Sequence, residues 1–201
     1  MTWDQLRQQH TWLPETSNGW HQHANGGGWV QDTAAVDPSA HVGEGAIVFD
    51  NARVYGDAWV YGAAWVYGAA RVYGDAQVYG AARVSGDAQV SGDAQVSGDA
   101  RVYGAARVSG DARVSGSAWG CSPLQICGSR HTVCAVEHGV LSIGCIIRPV
   151  DWWLANNVRC GEEADYTPEQ IAEYRLYIEL AARLLEMGAP CMGQEIEAEA
   201  T

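Results

Sequence analysis

The chain has 201 residues and a net charge of −12, with 12 basic residues, all of them Arg, against 24 acidic ones. This charge disfavours a nucleic-acid polymer or an anionic membrane surface as the partner, because both are bound through an excess of cationic side chains. The length allows one or two small domains.

Residues 1–29 are predicted to form an N-terminal leader and cap. The stretch from Trp3 to Trp12 fits one or two helical turns, ended by Pro14. Three successive glycines at 26–28 permit unusual backbone angles. No cationic stretch followed by an apolar one opens the chain, and no apolar run reaches the ~20 residues of a membrane helix. We therefore expect a cytoplasmic protein.

Residues 30–119 repeat one hexad, as in RVYGDA, with Val at every sixth position from Val30 to Val114. The position two residues before each Val holds Gly28 first and Ala thereafter. An α-helix does not present one face every six residues. Short strands do, because residues two apart share a face and Gly-Asp or Gly-Ala makes a corner. Three hexads would close one triangular coil of parallel strands, and the run provides about five coils.

This pattern resembles the hexapeptide-repeat left-handed β-helix superfamily, whose motif has an aliphatic inward residue and a small residue two positions earlier. With NGGGWV at 25–30, GSRH at 128–131 and IGC at 143–145, the chain also resembles uncharacterised hexapeptide-repeat proteins of bacteriophages and prophages. The superfamily implies a homotrimer, with a dimer as the alternative. The phage resemblance implies a location in the host cytoplasm and a host component as partner.

Residues 120–188 are predicted to form a small α+β domain that ends in a long helix. Three strand-like runs cover 124–127, 131–136 and 140–147, and Asp151 is expected to cap a short helix, WWLANN. The long helix begins with Thr167 as N-cap and Gln170 completing a capping box, and it ends at Gly188.

Residues 189–201 are predicted to be a disordered acidic tail. The six Cys residues all follow the repeat, and none form CxxC pairs, so we expect free thiols rather than disulfides. The fold class is therefore mainly β: a left-handed parallel β-helix of about five triangular coils, followed by a small α+β C-terminal domain.

The outward positions of the repeat are graded, with aromatic residues in the first three coils and Ser, Gln and Arg in the last two. A contiguous aromatic band is typical of an interface, here between protomers. A small anionic, nucleotide-like ligand is the sharper hypothesis, because Arg offers paired donors to phosphate and aromatic rings offer a stacking surface. The candidate ligand-binding residues are Arg53, Tyr55, Arg71, Tyr73, Trp59, Trp65 and Tyr67. The alternative is that Arg53 and Arg71 form only exposed ion pairs with Asp57 and Asp75.

Other functions stay open. An acyltransferase of the superfamily would need a catalytic His, and within the repeat only His41 qualifies. A virion component or rigid spacer is a structural alternative. The spacings of His21, His23 and the Cys residues fit no zinc pattern, so no metal or cofactor is predicted. The sequence favours a non-catalytic homo-oligomeric binding protein.

Overall fold

The computed structural model describes residues 1–194. Fifteen short strands, β2 to β16, form the repeated coils, and β17 adds one more strand to one of their sheets. One helix and one strand precede the coils, and a separate sheet and two longer helices follow them. The strands are β1 (Trp20–Gln22), β2 (Trp29–Gln31), β3 (Ala35–Val36), β4 (His41–Val42), β5 (Ile47–Val48), β6 (Arg53–Tyr55), β7 (Trp59–Val60), β8 (Trp65–Val66), β9 (Arg71–Tyr73), β10 (Gln77–Val78), β11 (Arg83–Val84), β12 (Gln89–Val90), β13 (Gln95–Ser97), β14 (Arg101–Val102), β15 (Arg107–Val108), β16 (Arg113–Ser115), β17 (Ala118–Trp119), β18 (Gln125–Cys127), β19 (Thr132–Glu137), β20 (Val140–Ile143) and β21 (Ile146–Pro149). The helices are α1 (Trp3–Gln9), α2 (Val150–Glu163) and α3 (Pro168–Glu186).

The repeat is a parallel β-solenoid with one strand of each coil in each of three sheets. The sheet orders are β1-β2-β5-β8-β11-β14-β17, β3-β6-β9-β12-β15 and β4-β7-β10-β13-β16. From Val30 to Val96, each Val of the column pairs with the Val 18 positions later, as Val54 does with Val72. From Ala40 to Val108 the Val and Ala columns are fully buried. The predicted fold class is confirmed, because period-two alternation in each strand sends both columns to the axis.

The corners of the coils explain why glycine recurs at every sixth position from Gly56 to Gly116. Gly68 has a φ of +71°, and a Cβ on it would lie 2.9 Å from the backbone nitrogen of Gly86 in the next coil. Asp50 takes the corner position with a φ of +59°. Its Oδ2 accepts a hydrogen bond from the Gly68 amide at 3.1 Å. Asp is among the few side-chain-bearing residues that adopt this conformation with a local hydrogen bond.

The leader covers the start of the solenoid. Helix α1 begins with a capping box made by Thr2 and Gln5. Its buried residues join Leu13 and two solenoid residues in a second core, formed by Trp3, Leu6, Leu13, Trp29 and Ile47.

The glycine-rich segment then closes the first coil against β4. The Gly28 amide donates to the Val42 carbonyl, and the Val42 amide donates to Asn25. A Cβ on Gly28 would collide with the Gly43 carbonyl oxygen, so this close backbone approach requires glycine.

The C-terminal domain has an antiparallel sheet, β18-β19-β20-β21, and the two longer helices. The capping box of Thr167 and Gln170 and the helix end near Gly188 are confirmed. The run predicted at 140–147 is two strands, because Gly144, with a φ of +58°, turns the chain.

The predicted short helix is longer than expected. Helix α2 has 14 residues and begins after Pro149, with no side-chain cap. Asp151 therefore lies inside its first turn rather than capping it.

The C-terminal domain continues the core of the solenoid. Fully buried Trp119 takes the place of the next Val, pairing with Val102. Part of the segment predicted as a tail is ordered: Pro190–Met192 form a 3-10 turn, and Gln194 pairs with Ala118. Residues 195–201 of that predicted tail lie outside the described residues. Within residues 1–194, no helix is both long and apolar enough to cross a bilayer.

Candidate binding sites

Four of the predicted ligand-binding residues lie together on one sheet, and we call them the Arg–Tyr face: Arg53, Tyr55, Arg71 and Tyr73. Strands β6 and β9 are neighbours, so Arg53 lies beside Arg71 and Tyr55 beside Tyr73. The two Tyr rings stack in parallel, with centroids 4.9 Å apart and an interplanar angle of 2°. Both Arg side chains and Tyr55 are exposed, and Tyr73 is half-buried.

A shallow open depression of about 390 Å³ lies over this face. It is bounded by Ala35, Asp37, Arg53, Tyr55 and Arg71. The Asp37 carboxylate accepts a weak hydrogen bond from the Gly56 amide at 3.4 Å. Among the described residues, neither Arg forms an ion pair, so the predicted alternative of pairs with the corner Asp residues is not seen.

The other three predicted residues lie elsewhere. Trp59 is on the neighbouring sheet, 49% exposed, with the His41 ring stacked on it at 4.4 Å. Trp65 and Tyr67 are on the third sheet. The structure therefore brings together four of the seven residues and distributes the rest over two other faces.

The leader occupies much of the third sheet. Trp65 is half-buried, with Trp12 at 5.4 Å, the His10 ring at 4.9 Å and the Arg83 guanidinium at 4.8 Å. Burial, reinforced by the charge of Arg83, lowers the pKa of His10. Trp29 and Ile47 directly precede Val30 and Val48 of the inward column, so strand alternation predicts that they face outward. They do leave the axis, but they are buried beneath α1. Part of the aromatic band is thus covered within the chain itself.

Hydrogen bonds to Glu173 and Tyr174 hold the GSRH segment (128–131) against α3. The Tyr174 hydroxyl accepts from the amides of Arg130 and His131 and donates to the His131 carbonyl at 2.7 Å. The Ser129 amide and hydroxyl both donate to the Glu173 carboxylate, and these bonds lower the pKa of Glu173. The GSRH motif is therefore a rigid turn between β18 and β19.

Next to this turn lies a cavity that sequence reasoning missed. It has a volume of about 150 Å³ and lies between the sheet and helices α2 and α3. The His131 ring at its edge contacts the Tyr166 hydroxyl, and burial raises the pKa of Tyr166 to about 12. The available signal was the four-residue spacing of Trp153, Asn157 and Gly161, which puts one side of α2 in the cavity wall.

The hexads match a known repeat. Residues 46–68, 70–86, 76–92, 94–107 and 106–121 match the model of the YdcK beta-solenoid repeat. No curated protein and no solved structure matches the chain. The YdcK repeat similarity supports the solenoid and covers the coils that carry the Arg–Tyr face.

The remaining candidate groups are His41, the six Cys side chains and possible metal ligands. His41 is half-buried, with Nδ1 3.2 Å from Asn25 Oδ1. All six Cys side chains are free, and burial raises the pKa of Cys134 to about 11, which leaves this thiol unreactive at neutral pH. Within residues 1–194, no three His, Cys, Asp or Glu side chains are grouped so as to hold a metal ion.

Proposed function

We propose that this is a non-catalytic homo-oligomeric binding protein whose Arg–Tyr face holds a small anionic, nucleotide-like ligand. One observation carries the proposal: two exposed Arg side chains lie in register on adjacent strands, without a carboxylate partner among residues 1–194, beside a parallel Tyr stack.

Two guanidinium groups, of Arg53 and Arg71, outnumber the single Asp37 carboxylate that bounds the depression, which favours an anion at this position. Like charges directly opposite each other on neighbouring strands repel. A phosphate group between Arg53 and Arg71 would neutralise that repulsion and accept paired N–H donors from each guanidinium. Tyr55 and Tyr73 would then offer ring surface to a base. A host component presenting the same anionic group is the alternative occupant.

The solenoid also supports self-association. The leader covers much of one sheet, which leaves the sheets of the Arg–Tyr face and of Trp59 to meet neighbouring protomers. Trp59 is 49% exposed, and large exposed aromatic residues are enriched at interfaces. We place the ligand site between protomers, in a trimer first and a dimer second.

Calorimetry against mono-, di- and cyclic nucleotides tests the ligand proposal. We expect one of these classes to bind, and Arg53→Gln or Arg71→Gln to weaken it about tenfold or more, because a charge-assisted hydrogen bond is lost. Arg107→Gln is the matched control, since Arg107 is exposed on the same sheet, two coils along. Absence of heat across the panel would remove the proposal.

An acyltransferase remains the second candidate, favoured by the contact of His41 with Asn25. An Asn oxygen that accepts from Nδ1–H leaves Nε2 as a base. The assay is thiol release from acyl-CoA with amine and sugar acceptors. Release that disappears in His41→Ala would support the enzyme, and no release from the wild type would exclude it for those acceptors.

A further inference from the structure

Helix α3 carries apolar residues on two of its sides. On one side Tyr174, Ile178 and Ala181 are buried in the core. On another side Leu176 and Leu180 are 65% and 46% exposed. A surface helix usually has one apolar side, which faces the core, and polar residues on the other side. The second apolar side of α3 is therefore open to solvent in the single chain.

Five exposed residues form this second side, and we call them the α3 stripe: Glu169, Ala172, Leu176, Leu180 and Arg183. Steps of three and four residues place all five on one side of the helix. The apolar residues lie in the middle, and the carboxylate and the guanidinium lie at opposite ends. Among residues 1–194, neither charged end forms an ion pair.

The α3 stripe is complementary to a second copy of itself that runs in the opposite direction. With the two-fold axis at Leu176, this residue meets its own copy, and Ala172 meets the partner's Leu180. Glu169 then meets the partner's Arg183 at each end. Small residues face large ones and opposite charges face each other, as the self-complementary surface of a two-fold pair requires. The charges and side-chain sizes of the stripe therefore fit a second copy of this chain.

A second antiparallel register, shifted by four residues, would bring Arg183 to the partner's Glu173 instead. Ser129 donates to this carboxylate through both its amide and its hydroxyl, and the Tyr177 hydroxyl donates to it at 3.0 Å. Glu173 is thus already engaged within its own chain, which favours the register centred on Leu176.

We propose that α3 binds α3 of a second copy as an antiparallel pair, through the α3 stripe. The stripe is short, and contacts smaller than a standard interface are typically weak and transient. The pairing is therefore reversible and strengthens with concentration. It lies in a different domain from the Arg–Tyr face and does not depend on the proposed function, because it joins whatever assembly the solenoid forms.

Sedimentation velocity of the full chain, from low micromolar to submillimolar concentration, measures the pairing. We expect the average mass of the wild type to rise about twofold or more, as pairs form. Leu176→Glu should abolish this rise, because it places two carboxylates against each other at the axis. Val158→Glu is the matched control, since Val158 is a 52% exposed residue of α2 outside the stripe.

The Leu176→Glu variant also separates this proposal from the proposed function. Its nucleotide calorimetry should match that of the wild type, because Leu176 is not part of the Arg–Tyr face. A lost rise in mass and a lost nucleotide heat are therefore independent results.

Charge reversal tests the two ends of the stripe. Glu169→Arg brings two cations together at each end of the pair, and Arg183→Glu brings two anions together. Each variant alone should pair about tenfold more weakly than the wild type, because like charges repel across an interface. An equimolar mixture of the two should recover the pairing, since opposite charges then meet at both ends.

Disulfide formation in oxidised glutathione locates the axis, because the two Cβ atoms of a disulfide lie about 4 Å apart. Leu176→Cys should form a covalent dimer above the wild-type level, which reports the native thiols. Ala172→Cys alone and Leu180→Cys alone should not, since each residue is about 12 Å along the helix from its own copy. A mixture of these two variants should form the covalent dimer.

Each of four results would overturn the proposal. A constant mass of the wild type across the concentration range would exclude the pair. The same rise in mass in folded Leu176→Glu would place the contact elsewhere. Covalent dimers of Ala172→Cys alone, with none of Leu176→Cys, would exclude this register. A mixture of the two charge variants that pairs no better than either alone would exclude the ion pairs at its ends.

Discussion

At the corners of the coils, a side chain in place of glycine would have two costs: the conformational cost of a positive φ, and the steric cost of a Cβ close to the next coil. Gly68 and Gly98 both have positive φ, but a Cβ on Gly68 would lie 2.9 Å from Gly86 N, whereas a Cβ on Gly98 would have its nearest neighbour at 3.7 Å. We expect Gly98→Ala to lower the free energy of unfolding by about 1–2 kcal/mol, the conformational cost alone. Gly68→Ala should lose about 1–3 kcal/mol more, from overpacking. Chemical denaturation measures both, and equal losses would contradict the close stacking of the corners.

The lowered pKa of His10 predicts how the stability of the folded protein depends on pH. Its pKa is lowered in the folded protein by burial and by Arg83, from a reference of 6.5. The unfolded chain therefore binds the proton more tightly, and the contribution of His10 to stability is full above pH 6.5 and falls as the pH drops below it. Melting temperatures from neutral pH to about pH 5 should fall more steeply for the wild type than for His10→Gln. Parallel curves would contradict the packing of His10 against Trp65 and Arg83.

At the level of the coil, the valine column predicts a sharp contrast between two changes to Asp. Val72 is fully buried, so Val72→Asp places an unpaired carboxylate in the solenoid axis and should cost about 3–5 kcal/mol. Ala69 lies at an exposed corner, in a position that is Asp in other hexads, so Ala69→Asp should be nearly neutral. Thermal unfolding compares the two. An unchanged melting transition for Val72→Asp would refute the register.

Elements with strong local signals could be predicted from the sequence, and those set by packing could not. The solenoid strands follow from the period of six, and the start of α3 follows from the Thr167–Gln170 capping box. Helix α2 continues beyond its predicted end through Gly161, a poor helix former. Packing overrides propensity there, because Gly161 lets α3 approach.

For the whole molecule, strand alternation identified outward positions but not what covers them. Trp29 and Ile47 alternate outward as predicted, yet the leader folds back over them. That path depends on a hydrophobic cluster whose members, such as Leu6 and Ile47, are far apart in sequence, and no local period encodes it. The Arg–Tyr face could be predicted because Arg53 and Arg71 are 18 positions apart, which is one coil, and so are Tyr55 and Tyr73. The C-terminal cavity could not, because its wall combines separate elements.

Native mass spectrometry of the purified chain tests self-association together with ligand binding most directly. We predict an assembly of two or three copies, with a trimer favoured, that carries a small anionic ligand. The Arg53→Gln/Arg71→Gln double variant should keep the assembly and lose the added ligand mass, and Arg107→Gln should keep both. A folded monomer without added mass, unchanged when nucleotides are supplied, would contradict a homo-oligomeric binding protein.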